Sequence, residues 1–226
     1  MRLGTLSNRH RDAVTAVQRR EFASLLRLLA RGERIAVAGA LAQAKIAPDA
    51  KAKNFLNRQA RQERFHAQVF EQGAAWIDRS DQSIPGCCGL DALQSAGQAR
   101  LRAGDFLGSL LVQQIMLETV GHVVLHRLNR ELARREVGLS RLRRLILHQE
   151  DGHQAFGLQR LSVSESISAG ERKRLQEQCA ALWRTADSLL LELGPALETL
   201  NEDVSDYRRD LLQALPAWSV PITLDS

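Results

Sequence analysis

The sequence predicts an all-α protein, a bundle of long helices, and three observations lead there. Apolar residues recur with the 3.6-residue helical period over long segments, and no stretch alternates with the period of two that a half-buried strand needs. Break signals gather at a few places, around Pro48, between Asp78 and Gly104, at Gly138 and at Ser168, so the intervening segments are long. The stretch 106–128 is apolar on most sides, as a helix at the centre of a bundle must be.

Taken in order, residues 1–10 are polar and expected to fray. A first helix is expected over 12–47. Leu25, Leu26, Leu28 and Leu29 mark its apolar side, followed by Ile35, Val37 and alternate alanines, and Gly32 is expected to interrupt it. Pro48-Asp49 suits a chain reversal and a helix start. The second helix runs over 49–77, with Phe55, Leu56, Ala60, Glu63, Ala67 and Phe70 on one broad face. Residues 78–104 form a long crossover containing a short helix over 90–102. Gly104-Asp105 opens the third helix with Asp105 as N-cap. The fourth helix covers 140–161. Ser168 to Glu171 reads as a capping box that opens a fifth helix. Gly194-Pro195 is expected to end that helix near 193, and a sixth runs to about 215, stopped by Pro216.

A chain of 226 residues is long enough for one well-buried domain, with a core over about 20–161 and flanking helices over about 168–215. The flanking helices offer a surface for a homodimer contact. No uninterrupted apolar run reaches the 18 residues of a membrane span, and the basic N-terminus lacks a secretory apolar core, so the cytoplasm is the expected location. Three cysteines make no disulfide framework; the adjacent Cys87 and Cys88 read as reduced loop thiols. The net charge of +5 is carried mostly by arginine, densest at Arg127, Arg130, Arg134, Arg135, Arg141, Arg143 and Arg144. That group reads either as a dock for an acidic partner, RNA or an acidic protein, or as a solvated helix end where the dipole favours cations.

Two short stretches carry the chemistry: Glu63-x-x-His66 and Glu150-x-x-His153. Positions i and i+3 point the same way on a helix, so each stretch aims one carboxylate and one imidazole together. Each is preceded by a lone acid on an earlier helix, Glu33 and Glu118, with Glu21 a rival for Glu33. Glu33 and Glu63 are 30 residues apart with Pro48 midway, so folding back brings them level. Glu118 and Glu150 are 32 apart, and their best break signal, Gly138, misses the midpoint by about one helical turn. Glu63 and Glu118 both fall among core positions, where an acid is paired, protonated or metal-bound. Four carboxylates and two imidazoles are the set with which a four-helix bundle holds two iron or manganese ions. His122, one turn after Glu118, reads as a partner of the ligands or a further ligand, against a plain hydrogen-bonded core histidine. Gly121 and Gly152, beside Glu118 and Glu150, either open a pocket or permit close helix contact.

The pattern Glu33, Glu63-x-x-His66, Glu118, Glu150-x-x-His153 resembles the ferritin-like di-iron carboxylate proteins. Among these are ribonucleotide reductase small subunits, multicomponent monooxygenases, fatty-acyl desaturases and aldehyde-deformylating oxygenase, and small hydroxylases acting on tRNA are a variant. The resemblance implies a ferritin-like four-helix bundle with a long crossover between helices two and three. It implies a di-iron site in which Glu63 and Glu150 bridge, Glu33 and Glu118 are terminal, and His66 and His153 each cap one metal. Manganese is an alternative at either position. The implied activity is an oxidase or oxygenase that uses dioxygen on an apolar or carrier- or RNA-borne substrate. Electrons would come from a separate ferredoxin or reductase, since no dinucleotide-binding glycine motif and no cysteine cluster occurs. A ferroxidase or iron-storage protein and a metal-free helical binding protein are the alternatives; the basic charge disfavours the former. Two departures stand out. Several members of that family have an acidic residue before the motif Glu; Gln62 and Gln149 occupy those places, so another residue such as Asp151 is expected to orient the histidines. The single tyrosine, Tyr207, is far from the motifs, which disfavours a stable tyrosyl radical.

Overall fold

A computed structural model describes residues 15–79, 86–134, 138–162 and 168–215. Among them are seven helices and no strand: α1 (Ala16–Ile46), α2 (Ala50–Ile77), α3 (Cys88–Arg102), α4 (Phe106–Arg134), α5 (Ser140–Ser162), α6 (Ala169–Thr199) and α7 (Val204–Ala214). Within α4 the hydrogen bonding changes to a π-helix over Leu111–Leu117 before the α-helix resumes at Glu118. The expected fraying at 1–10, the stop at Pro216 and Arg135 of the arginine group lie outside the described residues.

Side-chain caps set the starts. Thr15 and Gln18 form a capping box at α1. Asp49 caps α2 by accepting from the backbone N–H of Ala52, and Arg160 of α5 grips the same carboxylate with bonds of 2.6 and 3.0 Å. Asp105 caps α4 and holds Arg174 of α6 at 2.8 Å. Gly104, just before it, has φ +68°, where a side chain would be strained. Ser168 accepts from the Glu171 N–H at α6, the first half of the expected capping box.

The helices α1 and α2 form a close hairpin whose buried faces are rich in alanine, Ala23, Ala30, Ala36, Ala40 and Ala44 against Ala52, Ala60, Ala67 and Ala74. Glu33 lies 13 residues before the end of α1 and Glu63 lies 13 residues after the start of α2, so the turn at 47–49 sets them level. The second pair is α4 and α5. The most apolar window of α4 is 83% buried, which makes it the core helix of the bundle despite a length and composition that would cross a membrane. The main apolar core joins α4 to α1, α3, α6 and α7 through Leu25, Leu93, Ile115, Met116, Leu190, Leu197 and Leu211. Two smaller apolar clusters lie within α1, α2, α4 and α5. One holds Ala40, Leu56, Ala60, Leu110 and Phe156, the other Ala30, Phe70, Leu125, Ile146 and Leu147. On every one of these helices the expected ligand positions fall between the two clusters.

Two expected breaks are absent. α1 runs straight through Gly32, whose cost of about 1 kcal/mol relative to Ala is small beside the burial of Leu25, Ala30, Ile35 and Ala40 on either side. α6 likewise contains Pro195, because Leu189, Leu190, Leu193 and Leu197 keep one buried stripe across it. Four of the arginines are engaged within the chain. Arg127 binds Asp210 at 2.7 Å and Asp206 at 3.2 Å on α7, Arg130 also meets Asp210, Arg134 meets Glu131, and Arg143 donates to Asn129 and the Gly138 carbonyl. Arg141 and Arg144 are exposed.

Gly157 is one of four glycines inside helices, with Gly39, Gly89 and Gly108, that make close contacts: a Cβ on Gly157 would collide with the Cβ of Gln114 in the π segment. Gly152 is exposed, with nothing near its missing Cβ. Gly157→Ala should therefore cost about 1–3 kcal/mol of stability by overpacking, whereas Gly152→Ala should gain up to about 1 kcal/mol from helix propensity. Denaturant melts of the two variants check both signs.

Candidate metal centre

The helices α1, α2, α4 and α5 bring Glu33, Glu63, His66, Glu118, Glu150 and His153 into one buried cluster. Glu63 and His66 are fully buried, and the most exposed of the six, Glu33, shows 10% of its side chain. The cluster has two halves. Nδ1 of His66 lies 2.8 Å from Glu150 Oε1, 3.1 Å from Glu63 Oε2 and 3.8 Å from Glu33 Oε2. Nδ1 of His153 lies 2.8 Å from Glu63 Oε1, 3.8 Å from Glu118 Oε2 and 4.0 Å from Glu150 Oε2. Glu63 and Glu150 thus each turn one oxygen toward either half, while Glu33 and Glu118 serve one half each. Glu21 lies 12 residues from Glu33, about 18 Å along the helix, and belongs to none of the metal-capable groups among the described residues.

The imidazoles are oriented by the residues that departed from the family pattern. His66 Nε2–H donates to Gln149 Oε1 at 2.7 Å, and His153 Nε2–H donates to Gln62 Oε1 at 3.0 Å. The expectation that another residue such as Asp151 must do this is corrected: each glutamine serves the histidine of the other motif, across the α2–α5 interface. The amide oxygens accept at Nε2, so the lone pair is on Nδ1, aimed into the cluster.

Sequence reasoning missed a chain of buried amides behind the carboxylates. Gln59 Nε2 donates to Glu63 Oε1 at 3.0 Å and to Glu118 Oε1 at 2.7 Å. Its own oxygen accepts from Gln114 of the π segment at 3.2 Å. Gln114 exchanges two bonds with Gln43 at 3.0 Å each, and Gln43 also donates to Ser109 at 3.2 Å. A signal was present: Gln59 and Gln114 each stand one turn before a buried Glu, on apolar faces where an amide needs partners.

His122 is neither a core histidine nor a member of the buried cluster. It is partly exposed, stacked on His126 and facing Asp151. Gly121 lines a cavity, which favours the pocket reading for that glycine; Gly152 faces open space. The cavity is small, about 60 Å³, and opens to the outside. Its walls are Leu25, Leu28, Leu29, Val120, Val124, Leu189 and Leu193, and Glu33, Glu118 and Glu150 are its acidic members.

The residues present fit a di-iron site. Glu63 Oε2, Glu150 Oε1 and both Nδ1 atoms are buried and lack an aligned hydrogen-bond partner, although His66 Nδ1 lies 2.8 Å from Glu150 Oε1 and His153 Nδ1 lies 2.8 Å from Glu63 Oε1. Four carboxylates with neutral imidazoles carry −4, which two divalent cations cancel. Without cations, protons must do so. Burial, with the charges of Glu150 and Glu63, raises the carboxyls of Glu33 and Glu118 well above the usual range. Burial opposes charge on the histidines, but their carboxylate neighbours outweigh it: His66 is raised strongly by Glu150, Glu33 and Glu63, and His153 is pushed up to about 11 by Glu118 and Glu63. Burial also works against ionised Glu63, yet His153 and His66 hold that carboxyl below its ordinary value.

No protein-family model matches this chain, and no curated protein matches it. Solved structures do, and they define the class as the ferritin-like helical bundle. One of them, "Protein 19 with aldehyde deformylating oxidase activity" from Synechococcus, superposes with a TM-score of 0.73 over 92% of this chain and 93% of that one, at 13% sequence identity. At that identity the likeness establishes the fold.

Two measurements follow. Taking up two divalent ions should release about four protons per chain, one each from Glu33, Glu118, His66 and His153, so uptake weakens as pH falls; a pH indicator in weak buffer reads this. Gln62→Leu and Gln149→Leu should each lower metal affinity about 10–100-fold while circular dichroism stays helical, as cobalt titration checks.

Proposed function

We propose that this protein is a di-iron oxidase or oxygenase acting on an apolar organic substrate. The observation that carries this is the convergence of both Glu-x-x-His motifs with Glu33 and Glu118 at the edge of an apolar cavity. Glu33, Glu63, Glu150 and His66 would hold one iron, and Glu118, Glu63, Glu150 and His153 the other. Hard carboxylate oxygens with imidazole nitrogens suit iron, and suit manganese at either position. The bound pair supplies the reduction and activation of dioxygen.

The chain's own residues do the rest. Gln62 and Gln149 hold the imidazoles, and Gln59 fixes one oxygen each of Glu63 and Glu118. The leucine and valine walls exclude water and take an aliphatic or mixed apolar group, for which Gly121 leaves room. Glu33, at the cavity and the least buried of the acids, has the most freedom to change its mode of binding. The apolar lining favours an organic substrate over iron itself as the substrate, since an ion path wants acidic walls. Electrons would come from a separate ferredoxin or reductase. With four arginines engaged internally, Arg141 and Arg144 are what the described residues of the arginine group offer an acidic donor, a carrier protein or tRNA.

Anaerobic ferrous loading followed by air tests the reading. Wild type should bind two irons per chain and give a transient visible absorbance, and Glu150→Ala should abolish it. A chain that takes up no iron and stays colourless overturns the proposal. Gly121→Leu should keep both irons yet lose displacement of an alkyl-chain fluorophore from the cavity; unchanged displacement would place the substrate elsewhere.

A further inference from the structure

A second group of metal-binding side chains lies outside the buried centre. His122 and His126 are four residues apart on α4, and their rings stack with centroids 4.1 Å apart. Asp151 of α5 meets both. Its Oδ1 is 3.1 Å from His122 Nδ1 and 3.5 Å from His126 Nε2. Two ligand atoms about 2.1 Å from one metal lie about 3.0 Å apart at a right angle and about 3.4 Å apart at a tetrahedral angle. Each imidazole nitrogen therefore stands at ligand spacing from the Asp151 oxygen, and all three ligand atoms lie within 4.8 Å of one another. His122 Nδ1 is buried and makes no hydrogen bond, although Asp151 is near, so its alignment suits a shared cation better than a direct bond. The opposite side of the group is open: the side chains of His126 and Asp151 are 42% and 51% exposed, which leaves room for water to complete the coordination.

We infer that His122, His126 and Asp151 form a solvent-facing site for a single divalent first-row transition ion, separate from the buried pair. Two imidazole nitrogens and one carboxylate oxygen select zinc, cobalt, nickel, copper or ferrous iron over magnesium and calcium. The site ties α4 to α5 one turn beyond Glu118 and next to Glu150. An ion there clamps together the two helices that carry half of the buried cluster. Asp151 stands inside the second Glu-x-x-His motif, but the Glu and His of neither motif contribute to the site.

Nickel titration by calorimetry, with metal analysis after gel filtration, tests this. Wild type should bind one more nickel per chain than His126→Ala, and His122→Ala should match the His126 variant. His126 is an exposed helical position, so alanine keeps the fold, which circular dichroism confirms. Nickel should also raise the melting temperature of wild type more than that of either variant. The readout is the difference of one ion, so it is independent of the buried centre. If that centre takes no metal, wild type still binds one nickel and the variants none. Equal stoichiometry in wild type and both variants overturns the inference, as does a binding constant that changes less than about tenfold, the smallest loss expected even from an outer partner of a metal ligand.

Discussion

Four carboxylates share one apolar interior, and the rest of the bundle is arranged around making that tolerable. Isolated charges cannot be buried at reasonable cost, and like charges a few ångströms apart repel strongly at low dielectric. Neutrality has to come from inside the cluster, either from two divalent cations or from protons on the acids and imidazoles. As the cluster stands, Glu63 Oε2, Glu150 Oε1 and both Nδ1 atoms lack an aligned hydrogen-bond partner. Two bound cations would take those same four atoms as ligands. Apolar clusters above and below shield the polar layer, which the cavity reaches at Glu33, Glu118 and Glu150.

Geometry around the cluster is held by groups that carry no charge. Gln59 uses both amide hydrogens on carboxylates, and Gln114 and Gln43 use theirs on one another, on Gln59 and on Ser109. None of the donors of these three amides is left over, and the relay runs through the π segment of α4. The widened turn just before Glu118 thus supplies the support for the acid that follows it. π segments occur often at functional sites, and here the reason is visible: Gln113, Gln114 and Glu118 are all buried on the one helix.

Much of this was legible in the sequence because the signals are local or symmetric. Pro48 midway between Glu33 and Glu63, the cap residues Asp49, Asp105 and Ser168, and the two i, i+3 motifs each act within a turn or a hairpin. What was misread depends on partners far along the chain. Gly32 and Pro195 carry local penalties of about 1 and 3 kcal/mol, which the buried leucines and alanines around them outweigh. The pairing of Arg127 and Arg130 had no local sign because Asp206 and Asp210 lie about 80 residues away. The exchange of glutamines between α2 and α5 has no local signature, and neither does the π segment. His122 was misplaced because the apolar stretch before it suggested burial on every side.

The crossed glutamines set more than orientation. A carboxylate hydrogen-bonded to a metal-bound imidazole pushes electron density toward the metal and adds a negative charge nearby; a neutral amide does far less of either. Two acids in place of Gln62 and Gln149 would leave the interior with an excess of −2 beside two divalent ions. With amides, two divalent ions are the charge-balanced filling of this interior. Were that filling the iron pair proposed above, each oxidation would add a positive charge with no nearby carboxylate to offset it, and the reduced pair would be the favoured one.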